Sequence, residues 1–385
     1  MTLRLLTAGE SHGPELVAIV EGMPAGVAVD GAAIDRQLER RRGGHGRGAR
    51  STKIERDHAE LVSGVARGRT TGAPVALRII NRDFKNQPAS PQPLTTPRPG
   101  HADLAGARKH GHQDFRLVRE RASARETAAR VAAAALVRPL LSEFGVSLGS
   151  FVESIGEVRI PLELGQATAS ALEELAKAAE TDPVRSPSGE HSGLMVAAID
   201  RSQAERETIG GTFVVFALGA PIGLGSYVHW DLRLDGRLAQ AICSIPAVKG
   251  VEIGPAFLVS GVAGTKAQDA ILRGGRGLSR GSNFAGGIEG GVSNGQPIVV
   301  RGAMKPLSST RAPATSVDLA SGGAADPPYV RSDVCAVPAA AVVGEAMVAW
   351  VLAQALLERF GGDRVDALKA AAVRVSADEG PGPDL

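Results

Sequence analysis

The chain has 385 residues, with 43 Lys and Arg against 41 Asp and Glu, for a net charge of only +2. That balance excludes a globally basic nucleic-acid binder, and aromatics at 3% leave no row of rings for base stacking. Hydrophobic residues at 43% supply a large core, while two distant cysteines, Cys243 and Cys335, suit neither a disulfide scaffold nor a zinc ribbon.

In chain order, the segment after Met1 carries no apolar signal core, and the first motif is Gly9-Glu10-Ser11-His12-Gly13. Glycines on both sides let backbone approach a ligand and leave the imidazole exposed for acid–base work near neutral pH. A turn with a satisfied polar His is the plainer alternative. A strand is predicted over 16–21, then a helix over 30–42 that starts at an Asp cap, buries Ile34 and Leu38, and stops at Gly43-Gly44. The run Arg40-Arg41-Arg42 favours the helix dipole, but Arg47 and Arg50 lie in a Gly-rich loop. There they suit bidentate capture of phosphate or carboxylate, with a solvated charged loop as the alternative. Strands are predicted over 61–66 and 74–80, and a long loop over 81–99 leads into Arg98-Pro99-Gly100-His101-Ala102-Asp103. His101, His110 and His112 lack the spacing of a metal set, and no metal is expected.

A helix is predicted over 123–144, opened by a capping box between Ser123 and Glu126. Arg119, Arg121 and Arg125 crowd its start, where cations are disfavoured, so an anion is expected there. Further strands are predicted over 194–199, 212–218, 257–262 and 297–304. Residues 13–26 and 211–223 share a strand followed by G-x-P-x-G, and each is followed by Asp-Gly and a helical stretch. Duplication would make two related halves, about 5–150 and 190–310, within one domain of residues 1–375. The Gly-rich segment at 286–296 is no dinucleotide fingerprint, because a turn at Asn294-Gly295 stands where a helix should begin. Lys305 follows outside any P-loop pattern, 308–328 reads as a loop, and Arg331 and Asp333 place a cation and a carboxylate two residues apart. A last helix is predicted over 345–360, with Glu345 at the positive end of its dipole, and 376–385 reads as a disordered tail. The apolar helix candidates are interrupted by Arg138 and by Glu358-Arg359, which points to a soluble, cytoplasmic protein with no membrane partner. Together these features indicate chemistry on a phosphorylated, multiply anionic small molecule.

At these residues the chain closely resembles the chorismate synthase family. The resemblance rests on an ordered set: GESHG, R-R-x-G-G-x-G-R-G, RPGHAD, SARETAARVA, IPAVKGVEIG, AGGIEGGVSNGQPI and the Met304-Lys305-Pro306 segment. Departures are Ser332 and Val334 where the family usually has His and Pro, and His110 where it often has Tyr. The resemblance implies conversion of 5-enolpyruvylshikimate 3-phosphate to chorismate by anti-1,4-elimination of phosphate. Reduced FMN would be required but not consumed, and NADPH would serve only as an external source of reducing equivalents. It implies His12 as the acid facing the leaving phosphate, His101 as proton donor to the flavin, and Asp333 near the flavin N5. Ser11 and Ser123 would support proton relays. Arg41, Arg47, Arg98, Arg125 and Arg331 would bind substrate anions or neighbouring cofactor groups. Arg121, Ala122, Ser123, Pro246, Ala247, Gly290, Lys305, Pro306, Leu307, Ser308, Ser309 and Arg331 would contact FMN. The implied fold is α+β, a duplicated sandwich of helices between antiparallel sheets, in a homotetramer that binds no nucleic acid.

Overall fold

Two antiparallel sheets enclose a double layer of helices in the computed structural model, which describes residues 2–48, 56–86, 92–274, 277–329 and 332–378. The first sheet holds β1 (Arg4–Ala8), β2 (Glu15–Glu21), β3 (Ala59–Ser63) and β4 (Val75–Ile80) in the order β1-β2-β4-β3. The second holds β5 (Ser147–Ile155), the short β6 (Val158–Arg159), β7 (Gly211–Leu218), β8 (Val248–Ile253) and β9 (Ile298–Met304) in the order β8-β9-β7-β5-β6. Replacing β1, β2, β3 and β4 by β5, β7, β8 and β9 turns the first order into the second. The helices repeat too: α1 (Gly31–Arg42) follows β2 as α7 (Leu234–Cys243) follows β7. Likewise α4 (Thr127–Ser142) comes after β4, and α8 (Val337–Phe360) after β9. The likeness between residues 13–26 and 211–223 thus falls on β2 and β7, which hold the same place in the two sheets.

Helix α1 starts where Asp30 accepts from the Ala32 amide and buries Ile34 and Leu38. Helix α4 packs on β2 and β4, α8 packs on β5 and β7, and the two helices pack on each other. Both are therefore apolar on nearly every side. Alanines fill six of the sixteen positions of α4, and in α8 a Cβ on Gly344 would stand 2.8 Å from Phe213 and Val215. Helix α8 is long and apolar enough to cross a membrane, yet 94% of its most apolar window is buried inside the protein. The predicted helix at 345–360 is this one, begun eight residues earlier with Pro338 in its first turn.

Two predicted strands are helical. Residues 194–199 lie in α6 (Gly189–Ala204), where Ser188 caps the start and Met195, Ala198 and Ile199 are buried at helical spacing. Residues 257–262 overlap a single turn, Ala256–Val259, with Phe257 and Leu258 exposed. Conversely β5 carries Ser150, Glu153 and Ser154 in a strand buried on both faces, by α8 and by α5 (Ala169–Glu180), so no alternation reveals it. Of the predicted tail, residues 376–378 end α9 (Val365–Asp378), and 379–385 lie outside the described residues.

Glu345 is not at a helix start but fully buried inside α8. Arg40 of α1 donates to it at 2.8 and 2.9 Å, Arg138 of α4 at 2.5 Å and Ser150 of β5 at 2.6 Å, with Arg185 at 3.6 Å. Burial pushes this carboxyl up, but Arg138, Arg40 and Arg185 outweigh it and hold it well below the usual carboxylate range. Glu345→Ala should cost about 3–5 kcal/mol by strandling three guanidiniums, measured by denaturant unfolding at neutral pH. Because the folded value is depressed, this stabilisation is complete above about pH 4.3 and is lost as pH falls. The gap between wild type and variant should therefore narrow in acid.

Candidate active site

A cleft of about 420 Å³ opens where the two repeats meet. The first repeat supplies the β1–β2 turn, the end of α1 with the Gly-rich loop behind it, residues 98–102, and residues 119–127. The second supplies residues 245–247, the end of β9 with the loop to Ser309, residues 332–333, and the first turns of α8. Ala336, Ala339, Ala340 and Val343 of α8 form an apolar floor, joined by Ile245, Met304 and Leu307.

His12 and His101 both line this cleft, and each sets its Nδ1 against a carboxylate. His12 Nδ1 stands 2.9 and 3.0 Å from the Glu120 oxygens, and the His12 amide donates to Glu120 Oε2 at 2.6 Å. His101 Nδ1 lies 2.5 Å from Asp103 Oδ1, while Arg98 Nη2 lies 3.0 and 3.2 Å from the two ring nitrogens. Arg98 also donates to Asp103 Oδ2 at 2.8 Å and to Ser309 Oγ at 2.8 Å. Burial raises Asp103, but His101 and Arg98 outweigh it and hold it far below the usual range. Gly100, at φ +73°, carries the turn before His101 and brings its carbonyl to Ser308 Oγ at 2.7 Å, a conformation L side chains rarely adopt.

The expected anion at the start of α4 is a carboxylate of the chain itself. Residues 116–122 form their own helix, α3 (Arg116–Ala122), so Arg119 and Arg121 sit in its last turn, where the dipole favours them. Only Arg125 stands at the start of α4, and Asp57 takes it bidentately at 2.5 and 2.7 Å, both side chains being buried. Arg41 lies 4.0 Å from the same carboxylate and donates to Thr127 Oγ1 and the Ala124 carbonyl. Burial raises Asp57, yet Arg125 and Arg41 keep it below the usual range. The capping box does not form: Ser123 Oγ accepts from the Arg125 amide, and Glu126 pairs with Arg130.

Arg47 is likewise not a loosely held loop residue. It donates to Asp333 and to the Arg42 carbonyl, and the Gly48 amide donates to Asp333 Oδ1 at 2.7 Å. Lys305 Nζ donates to Ser308 Oγ at 3.0 Å, and burial and the charge of Lys249 push its ammonium down. Ala247 holds a left-handed φ of +69° in the cleft wall, and its carbonyl accepts from the Lys305 amide at 2.9 Å.

Ser11, Ala122, Ser123, Pro246, Leu307, Ser308 and Ser309 line the same cleft. Pro306 does not, although its carbonyl accepts from Lys305 Nζ at 3.3 Å. Two further residues expected at the cofactor stand apart from the lining. Arg121 is on the outside, tying the Thr7 and Gly9 carbonyls, and Gly290 turns a hairpin between residues 289 and 292 with no atom within 4 Å of its Cβ position. Arg331 and Arg50 lie outside the described residues. Sequence reasoning gave no role to Asp57, Glu120 or Thr127, whose partners are brought to them only by folding, nor to Asp103, despite its place in the RPGHAD segment. Among the described residues no three His, Cys, Asp or Glu side chains converge as a metal site would need. His110 and His112 stack on each other.

The model of the chorismate synthase family matches residues 3–357. The chain is 53% identical over 380 residues to the chorismate synthase of Desulforudis audaxviator, covering 95% of each. It is 50% identical over 381 residues to that of Chlorobaculum tepidum, covering 95% of this chain and 96% of the relative. The fold matches a crystal structure of chorismate synthase with a TM-score of 0.81 at 42% identity, over 97% of both chains.

Asp57→Asn should destabilise by about 3–5 kcal/mol, because Arg125 and Arg41 then lose the carboxylate they share. Inorganic phosphate should raise the melting temperature of this variant more than that of the wild type, by binding the vacated cations. Equal phosphate shifts in the two proteins would argue against an anion-accepting pair.

Proposed function

The chain belongs to the chorismate synthase family of lyases, and on that premise we propose that it converts 5-enolpyruvylshikimate 3-phosphate to chorismate and phosphate by anti-1,4-elimination, using reduced FMN. The observation that carries this reading is one cleft in which two carboxylate-anchored histidines face a set of fixed cations above an apolar floor. The substrate bears a phosphate and two carboxylates, and Arg41, Arg47, Arg98 and Arg125 offer charge-assisted hydrogen bonds to such groups. Each guanidinium is already oriented by a partner, so little side-chain entropy is lost on binding.

The residues present also fit a flavin. Small side chains at Ala336, Ala339 and Ala340 leave room against the α8 backbone for a flat ring system, and Lys305, Ser308 and Ser309 offer donors to a phosphate. Ala122, Ser123, Pro246 and Ala247 line the same space. When bound, reduced FMN supplies electron density to the reacting ring and recovers it, so substrate and product keep the same oxidation level. His12 gives a proton to the departing phosphate, and His101, steadied by Asp103 and Arg98, holds a proton for the flavin side of the cleft. Asp333, held by Arg47 and the Gly48 amide, takes part in removing the substrate proton, with Ser11 and Ser123 in supporting relays. Assembly into a homotetramer accords with the outward-facing Tyr227, Trp230 and Phe257, which are 80%, 84% and 78% exposed in one chain.

His12→Ala and His101→Ala should each lower turnover by about two orders of magnitude or more, the loss of a positioned acid or base, with unchanged circular dichroism. Near-normal rates in both would remove them from the mechanism. The test of the whole reading is anaerobic turnover with a sub-stoichiometric amount of photoreduced FMN and no nicotinamide. Many chorismate molecules per flavin, with the flavin still reduced at the end, is the expected result. One product per flavin, with oxidised FMN accumulating in step, would indicate a conventional oxidoreductase instead.

A further inference from the structure

Glu120 lies on α3, 108 residues from His12 in sequence, and is buried at the edge of the cleft. It holds the Gly9–Gly13 turn in three ways. Its backbone carbonyl accepts from the Ser11 amide at 2.9 Å, its Oε2 accepts from the His12 amide at 2.6 Å, and both carboxylate oxygens lie within 3.0 Å of His12 Nδ1. A carboxylate has no proton to give, so the ring nitrogen it faces must be the donor. His12 Nδ1 therefore carries a proton whether the ring is neutral or charged, and Nε2 is the nitrogen whose proton distinguishes the two states. Arg119 on the same helix, 3.5 Å from Glu120 Oε1, balances the carboxylate from the cleft side. Burial alone would raise Glu120, but His12 and Arg119 outweigh it and keep it below the usual range.

We propose that Glu120 is a positioning residue, which fixes His12 with its proton on Nδ1 so that Nε2 exchanges the proton with the departing phosphate. The tautomer follows from the geometry alone, and the direction of proton transfer rests on the elimination reading above. In that elimination the allylic C–O bond breaks with its electron pair on the phosphate oxygen, while the ring C–H bond gives up its proton and its electron pair forms the new double bond of the diene. The Nε2 proton passes to the phosphate, and His12 is left neutral, its proton still on Nδ1 and hydrogen-bonded to Glu120. An arginine here, which only donates, would force the proton onto Nε2, and a serine hydroxyl, which both donates and accepts, would leave the tautomer open. A carboxylate can only accept and so fixes the proton on Nδ1. His101 shows the same arrangement with Asp103, but there Arg98 Nη2 also lies against the ring nitrogens, so the two histidines are not interchangeable.

A role confined to anchoring the turn is separable from this one. In Glu120→Gln the amide oxygen still accepts from the His12 backbone, and the bond from the Ser11 amide uses the backbone carbonyl and is untouched. The anchor survives, but the side-chain NH2 now competes to donate to Nδ1. We expect kcat to fall about 10–100-fold while KM stays within about threefold and the melting temperature is close to that of the wild type. Histidine labelled with 15N supplies the second readout, with His12 assigned by its loss in His12→Gln. The wild type should show a protonated Nδ1, and Glu120→Gln should shift the proton toward Nε2. A wild-type His12 with unprotonated Nδ1 overturns the proposal without recourse to any variant, as does full kcat in Glu120→Gln. Were the wild type to form no chorismate with reduced FMN, the elimination reading would fall, and the nitrogen spectrum would still decide the tautomer.

Discussion

A guanidinium taken out of water needs a carboxylate beside it, and this requirement shapes both the core and the cleft of the protein. In the core, Glu345 gathers Arg40, Arg138 and Arg185 from separate elements onto α8. In the cleft, Asp57 holds Arg125, Asp103 holds Arg98 and Asp333 holds Arg47. Buried ion pairs are weak sources of net stability, because desolvation offsets much of the attraction, but they are costly to break. Their effect here is geometric. A ring of cations is fixed in place by the fold itself, and the energy of assembling it is met during folding.

The repeated topology explains where that ring can exist. Each repeat is built on four equivalent strands and two equivalent helices, and neither contains a concave surface lined by both histidines and the apolar floor. Packing α4 against α8 brings the β1–β2 turn of one repeat beside the segments before β8 and after β9 of the other. The repeats have diverged in how they use their equivalent segments. The β1–β2 connection is a short turn carrying Ser11 and His12, whereas the β5–β7 connection has grown to include α5 and α6. That insertion covers the outer face of the second sheet, while Leu6, Ile19 and Ile80 leave the first sheet's outer face partly apolar and open.

Two kinds of residue contact therefore build the site. Side chains that touch the cleft come from motifs recognisable in the sequence, because glycines around His12 and His101 and arginines outside stable helices are local anomalies. Their supports come from elsewhere in the chain. Glu120 reaches His12 across 108 residues, Asp57 reaches Arg125 across 68 and Asp333 reaches Arg47 across 286. A carboxylate in such a role looks like any charged surface residue until the fold removes it from water. Arg121 illustrates the converse, since its place in a family motif did not reveal that its guanidinium is tied to Thr7 at the end of β1.

The sequence by itself determined the α+β class, most of the strands with clear alternation, the caps of α1, and the family to which the chain belongs. These are local properties, written in short windows of polarity and in glycine and proline placement. Only the tertiary structure decided that residues 194–199 are helical, that β5 is a strand and that Glu345 is a core counterion. It also decided that the anion expected at the start of α4 is Asp57. In each case the reason is the same: an apolar run buried on several sides has no period to read, and a buried charge is defined by a partner that only folding brings near.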